Sequence, residues 1–155
     1  MARTKCGFDD SPQGSGRDLL VALGPALLVD IGFDPQFDPH IPNQVPASAI
    51  RDVQALVDTG ATESCIDSLL AAHLELPIID RARVTGAGGA HDVNVHLAQI
   101  HVPRLHVTVH GRFFAVHLQA GGQIHKAFLG RTFLQHFTMI YEGRTGSVTI
   151  HDEIT

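Results

Sequence analysis

Apolar and polar residues alternate along short runs that turn-forming residues keep interrupting, a pattern that leaves room for little besides a β fold. Val93, Val95 and Leu97 alternate with Asn94, His96 and Ala98. Leu105, Val107 and Val109 alternate with His106, Thr108 and His110 in the same way. This is the period of a half-buried strand, whose successive side chains point to opposite faces. Ala26–Phe33, Arg51–Val57, Phe113–Leu118, Met139–Tyr141 and Ser147–Ile150 read as further strands, the last two joined by a turn at residues 142–146. Arg83–Val93, with Gly86-Ala87-Gly88-Gly89 in its middle, reads as a glycine-tipped hairpin. Many short strands in series predict a closed or strongly curled sheet.

Two segments break the rhythm. In Cys65–Leu76 the residues Ile66, Leu69, Leu70 and His73 follow helical spacing, Ser64 and Asp67 are both available as caps, and Pro77 ends the run. Phe133–Phe137 reads as a second short helix. The expected fold class is therefore all-β with one or two short helices. Pro35, Pro39, Pro42 and Pro46 mark an irregular surface loop over 34–50. Residues 1–16 read as a flexible tail ahead of one domain over 17–155.

Charge and composition exclude several classes. Sixteen Asp and Glu against eleven Lys and Arg give a net charge of −5 with no basic stripe, which argues against a nucleic-acid partner. The longest apolar stretch, Leu19–Phe33, is interrupted by Gly24, Pro25, Asp30 and Gly32 and is too short to span a bilayer. Arg3 and Lys5 are followed by Asp9 and Asp10 before any apolar core, a poor signal peptide. Two cysteines, Cys6 and Cys65, make no disulfide framework and fit a reducing, cytoplasmic compartment.

Against this background Ala55-Leu56-Val57-Asp58-Thr59-Gly60-Ala61-Thr62 is anomalous: an apolar run stops at a carboxylate and the chain turns at once. Buried carboxylates are costly unless paired, hydrogen-bonded or protonated. Asp58 is then either a turn or cap residue, a role Asp, Thr and Gly all favour, or one half of a catalytic pair. An Asp-Thr-Gly arises by chance in about 3% of chains this long, so it is not specific alone.

Two further features follow it in order. One is the glycine-tipped hairpin. The other is Ala127-Phe128-Leu129-Gly130-Arg131-Thr132-Phe133-Leu134, apolar residues running into Gly-Arg and a helix-like segment. Together these resemble the retropepsin-like aspartic proteases over roughly Leu19–Ile150, and the bacterial branch in which the catalytic turn leads into a short helix. The resemblance implies a closed β-barrel, half of the acid-protease fold.

It also implies that the single Asp-Thr-Gly is completed by a second copy, in a symmetric homodimer that hydrolyses polypeptide with no metal and no cofactor. Asp58, Thr59 and Gly60 would be catalytic. Ala61 and Thr62 would line the cleft floor, and Thr85, Gly86, Ala87, Gly88 and Gly89 would form a flap over the substrate. Gly130 and Arg131 would support the loop from behind. The chain departs from the pattern at Thr62, where many viral members carry an acid that pairs with the Arg; Glu63 is the neighbouring substitute. Loop 34–50 has no counterpart in the compact viral enzymes. Arg17–Val21 and Ser147–Ile150 are candidates for strands exchanged between subunits.

Rival readings remain. The same fold can serve as a catalytically weak dimerisation or peptide-binding module. His91, His96, His101, His106 and His110 recur every four or five residues, which invites a metal reading, but on strands this spacing throws successive members to different faces. Solvated strand faces account for them more simply. Cys65 reads as a small buried residue.

Overall fold

A computed structural model describes residues 2–86 and 88–152 of the chain. In chain order these form β1 (Ala2–Lys5), α1 (Gly16–Leu23), β2 (Ala26–Gly32), β3 (Ile50–Val57), β4 (Cys65–Asp67), α2 (Ser68–His73), β5 (Ile78–Gly86), β6 (Gly89–Val102), a 3-10 turn (Pro103–Leu105), β7 (Val107–Val116), β8 (Ala127–Leu129), α3 (Arg131–Leu134), β9 (Thr138–Glu142) and β10 (Ser147–Asp152).

Six strands close into a barrel in the order β2-β3-β8-β4-β7-β6. The last seam is antiparallel, Asp30↔His101, Ile31↔Ile100 and Gly32↔Gln99. Most neighbours are antiparallel, but β3 runs parallel to β8 and β4 parallel to β7. Alternation fills the interior: Leu27, Val29 and Ile31 of β2, Val53, Ala55 and Val57 of β3, and Ala98, Ile100 and Val102 of β6 are all buried. The closed β-barrel expected from the sequence is the observed architecture.

The long strand β6 serves three partners. Its first half pairs with β5 from Gly89 to His96, its second half pairs with β2 on the same edge, and β7 lies along the other edge from Val95 onward. Among the described residues, 89–94 thus have β5 as their only ladder partner. At the turn Gly86 pairs with Gly89, whose φ of 98° favours glycine.

A second sheet, β1-β10-β9, packs beside the barrel. It corrects the expectation of a flexible tail over 1–16. Thr4 points inward between exposed Arg3 and Lys5, the N–H of Cys6 donates to the Val148 carbonyl, and Cys6 is buried. A Cβ on Gly7 would stand 2.2 Å from the Gly146 carbonyl oxygen, so the close approach of these segments requires glycine. Burial also pushes the Cys6 thiol up to about 12.

Arg17–Val21 is likewise not a strand. It lies in α1, where the Ser15 hydroxyl accepts from the Asp18 N–H at 3.1 Å and Gly24 (φ 71°) ends the helix. Among the described residues there are therefore three short α-helices rather than one or two. The expected helix after Cys65 begins three residues later. Cys65–Asp67 is instead a strand, and Asp67 caps α2 by accepting from the Leu70 N–H at 3.3 Å.

Loop 34–50 is held by its own side chains. Asp34 accepts from the N–H groups of Ala47 and Gln36, both at 2.9 Å, which holds its carboxyl below the usual range. Gln99, buried on β6, accepts from the Asp34 N–H at 2.6 Å. The loop and β6–β7 enclose a cavity of about 380 Å³ that includes His101 and His106. So not every strand histidine is solvated: His96 and His101 are buried, and the His96 Nδ1–H donates to the Leu76 carbonyl at 2.8 Å. Among the described residues no three His, Cys, Asp or Glu are placed to hold a metal ion.

Candidate active site

The carboxylate at the end of β3 is positioned by a neighbouring strand. β3 and β8 pair in parallel through Val57↔Leu129, and the Asp58 N–H continues the ladder by donating to the Leu129 carbonyl at 2.9 Å. The chain then turns over the acid. The Gly60 N–H donates to Asp58 Oδ1 at 2.9 Å, and the Ala61 N–H donates to the Asp58 carbonyl at 3.3 Å. A Cβ at Gly60 would stand 3.1 Å from that same Oδ1, tighter than ordinary contact. Asp58 is half-buried, Thr59 and Gly60 are exposed, and among the described residues no donor reaches Asp58 Oδ2.

Behind the turn, α3 supplies its unsatisfied N-terminal N–H groups to the loop. The Arg131 N–H donates to the Ala61 carbonyl at 2.8 Å and the Thr132 N–H to the Thr62 carbonyl at 3.0 Å. The Arg131 guanidinium adds two bonds of 2.8 Å, to the Thr59 carbonyl and to the Thr62 hydroxyl. Thr62 itself therefore meets the guanidinium, and Glu63 is not the substitute: among the described residues Arg131 forms no ion pair with it. Gly130 sits so close to the loop that a Cβ there would stand 2.6 Å from the Glu63 carbonyl oxygen.

Seven of the residues picked from the sequence, Asp58 to Thr62 with Gly130 and Arg131, are thus brought into one hydrogen-bonded unit. Thr85, Gly86, Gly88 and Gly89 lie at the exposed end of the β5–β6 hairpin, and none is hydrogen-bonded to that unit among the described residues. Ala87 lies outside the described residues. The sequence reading missed Ser64 in this role. Its side chain is 1% exposed and accepts the Gly130 N–H at 3.0 Å, instead of capping α2. Cys65 is half-buried beside the turn, and burial together with the charges of Asp58 and Glu63 pushes its thiol up to about 11.

The family model described as "gag-polyprotein putative aspartyl protease" matches residues 49–136, more than half of the chain. The chain belongs to this aspartyl protease family. The matched segment runs from the residue before β3 to just past α3, so it contains the Asp58 turn, the hairpin and the Gly130-Arg131 support. It leaves out β1, α1, β2, β9 and β10. Two solved protease structures are similar to the chain. The protease of EIAV, complexed with the inhibitor HBY-793, is 20% identical with a TM-score of 0.46, covering 72% of this chain and 85% of the viral one. The protease of Simian Foamy Virus (mac), in a solution structure, is 16% identical with a TM-score of 0.45, covering 71% of this chain and 91% of its own. No curated protein matches the chain.

Proposed function

We propose that this aspartyl protease is a homodimeric endopeptidase in which two copies of Asp58 activate one water molecule. The observation that carries the reading is the asymmetry of the carboxylate: Oδ1 is held by the Gly60 N–H, while among the described residues no donor reaches Oδ2. One acid cannot act as base and acid in the same step. Two carboxylates brought about 3 Å apart share one proton, and their pKa values separate. The ionised member takes a proton from water as it attacks the scissile carbonyl, and the protonated member donates to the carbonyl oxygen. The tetrahedral intermediate collapses with proton transfer to the leaving amine, with no acyl-enzyme.

The other residues take roles that follow from their positions. Among the described residues no hydrogen bond engages the Thr59 hydroxyl, which leaves it free to bond across the dimer axis. Ala61 and Thr62 line the floor. The tip at Thr85, Gly86, Gly88 and Gly89 closes over an extended polypeptide and offers it backbone N–H groups.

Asp58→Asn tests the assignment. The variant is expected to melt within a few degrees of the parent and to lose at least about 10³-fold in kcat on an unfolded-protein substrate. Retained cleavage by the purified variant would remove Asp58 from the chemistry.

A further inference from the structure

A cavity of about 530 Å³ lies between α2 and the lower half of the β5–β6 hairpin. No residue of the Asp58 turn or of its Gly130-Arg131 support lines it. Its volume is that of a small-molecule site. Ala71, Leu76, Val93 and Ala115, all buried, make its walls apolar. His96, 5% exposed, lines it too. The Nδ1–H of His96 is taken by the Leu76 carbonyl at 2.8 Å, so Nε2 of the neutral ring is an acceptor. Among the described residues no donor reaches Nε2. None of these residues holds a side-chain nitrogen or oxygen that is both sealed and unpartnered, so Nε2 opens onto the cavity. An acceptor placed this deep calls for a hydrogen-bond donor.

The polar groups around it are unevenly matched. Ser68 Oγ and His117 Nδ1 satisfy each other at 2.7 Å, and Asp92 has Arg83 at 3.8 Å. Arg81 Nη1 donates to the Asn94 side-chain carbonyl at 3.1 Å. Among the described residues neither Arg81 nor Glu75 forms an ion pair, and both are exposed. The lining thus offers one cation and one anion without opposite partners, beside apolar walls that hold one acceptor.

We propose that this cavity binds a free α-amino acid whose apolar side chain ends in an N–H or O–H donor. The carboxylate meets Arg81, the ammonium meets Glu75, and the side chain runs between Ala71 and Val93 to donate to His96 Nε2. Aromatic side chains with a polar tip combine that apolar area with that donor. Because Arg81 belongs to β5 and Val93 to β6, occupancy ties α2 to the hairpin. The site stands whether or not the chain cleaves polypeptide.

L-Tryptophan is the probe. The chain contains no tryptophan, so emission excited on the red side of the tyrosine band belongs to the ligand alone. Titration is expected to saturate with a dissociation constant below about 1 mM. L-Phenylalanine, which lacks the donor, and tryptamine, which lacks the carboxylate, should each compete at least about tenfold more weakly. Arg81→Gln should weaken L-tryptophan about tenfold and leave tryptamine unchanged. In methyl spectra of alanine-labelled protein, Ala71 and Ala115 should shift with the same dissociation constant. Amide exchange over residues 89–94 should slow on binding. Asp58→Asn should bind as the parent does.

Absence of saturable binding up to about 10 mM would overturn the site. Equal affinity for L-tryptophan and L-phenylalanine would overturn the bond to His96. Unchanged affinity in Arg81→Gln would overturn the placement of the head group, and shifts confined to other methyls would overturn the location. Binding without slower exchange would overturn the tie to the hairpin. None of these readouts uses catalysis, so a protein that binds L-tryptophan here yet cleaves nothing would count against the protease reading alone.

Discussion

The Gly130 N–H donates to the Ser64 hydroxyl at 3.0 Å, across 66 residues of sequence, and so ties the start of α3 to the far side of the Asp58 turn. Both partners are buried. Ser64→Ala leaves the N–H without a partner in a place water does not reach, which costs about 1–3 kcal/mol. The denaturation midpoint should fall accordingly at unchanged m-value, and activity measured well below that midpoint should fall as well because the turn loses its backing.

Gly130→Ala should be worse. The added methyl meets the carbonyl oxygens of Glu63 at 2.6 Å and Ala61 at 2.9 Å, which are backbone atoms with little freedom to move. Overpacking of this kind costs roughly 1–3 kcal/mol, and here it also pushes on the Asp58 turn. Chemical denaturation of the purified variant is the check; a midpoint equal to the parent's would mean the loop relaxes freely.

Thr62→Asp offers Arg131 a carboxylate in place of a hydroxyl. Both side chains are exposed, so the expected gain is small, about 0.2–1 kcal/mol, and should shrink in high salt. Paired melting curves at low and high ionic strength measure it. A gain insensitive to salt would point to packing rather than charge.

Two buried histidines make stability depend on pH. Burial holds His101 below the ordinary value, opposed by Asp30 and reinforced by His106, and burial holds His125 below it too. A depressed folded value means that the unfolded chain binds these protons first. The stability is present in full above the unfolded value of about 6.5 and is lost as pH falls from there through the folded values. Melting temperature should therefore drop from pH 7 toward pH 5. The double variant His101→Gln, His125→Leu should drop less over that window at matched concentration.

Strands and the acid turn were legible in the sequence because their signals are local: period-two alternation, and an Asp-Thr-Gly after an apolar run. What escaped depends on distant partners or on a competing pattern. β1 offers one inward residue, Thr4, and its ladder lies on β10 at the other end of the chain. α1 carries the apolar run Leu19-Leu20-Val21, which imitates a strand, although Ser15 with Asp18 three residues on is a capping signal that could have identified it. The burial of His101 and Gln99 follows from a covering loop rather than from β6 itself. Ser64 looked like a cap because nothing nearby in sequence announces that Gly130 needs an acceptor.

The unequal edges of β6 have a mechanical consequence. From Gln99 to His101 the strand is gripped on both sides, by β2 and β7, whereas from Gly89 to Asn94 its only ladder partner among the described residues is the strand it turns back from. The hairpin is thus a beam rooted in a rigid wall, without a loosely jointed hinge. Its root lies at Val95 and His96, the first residues of β6 paired on both edges, by β5 and by β7.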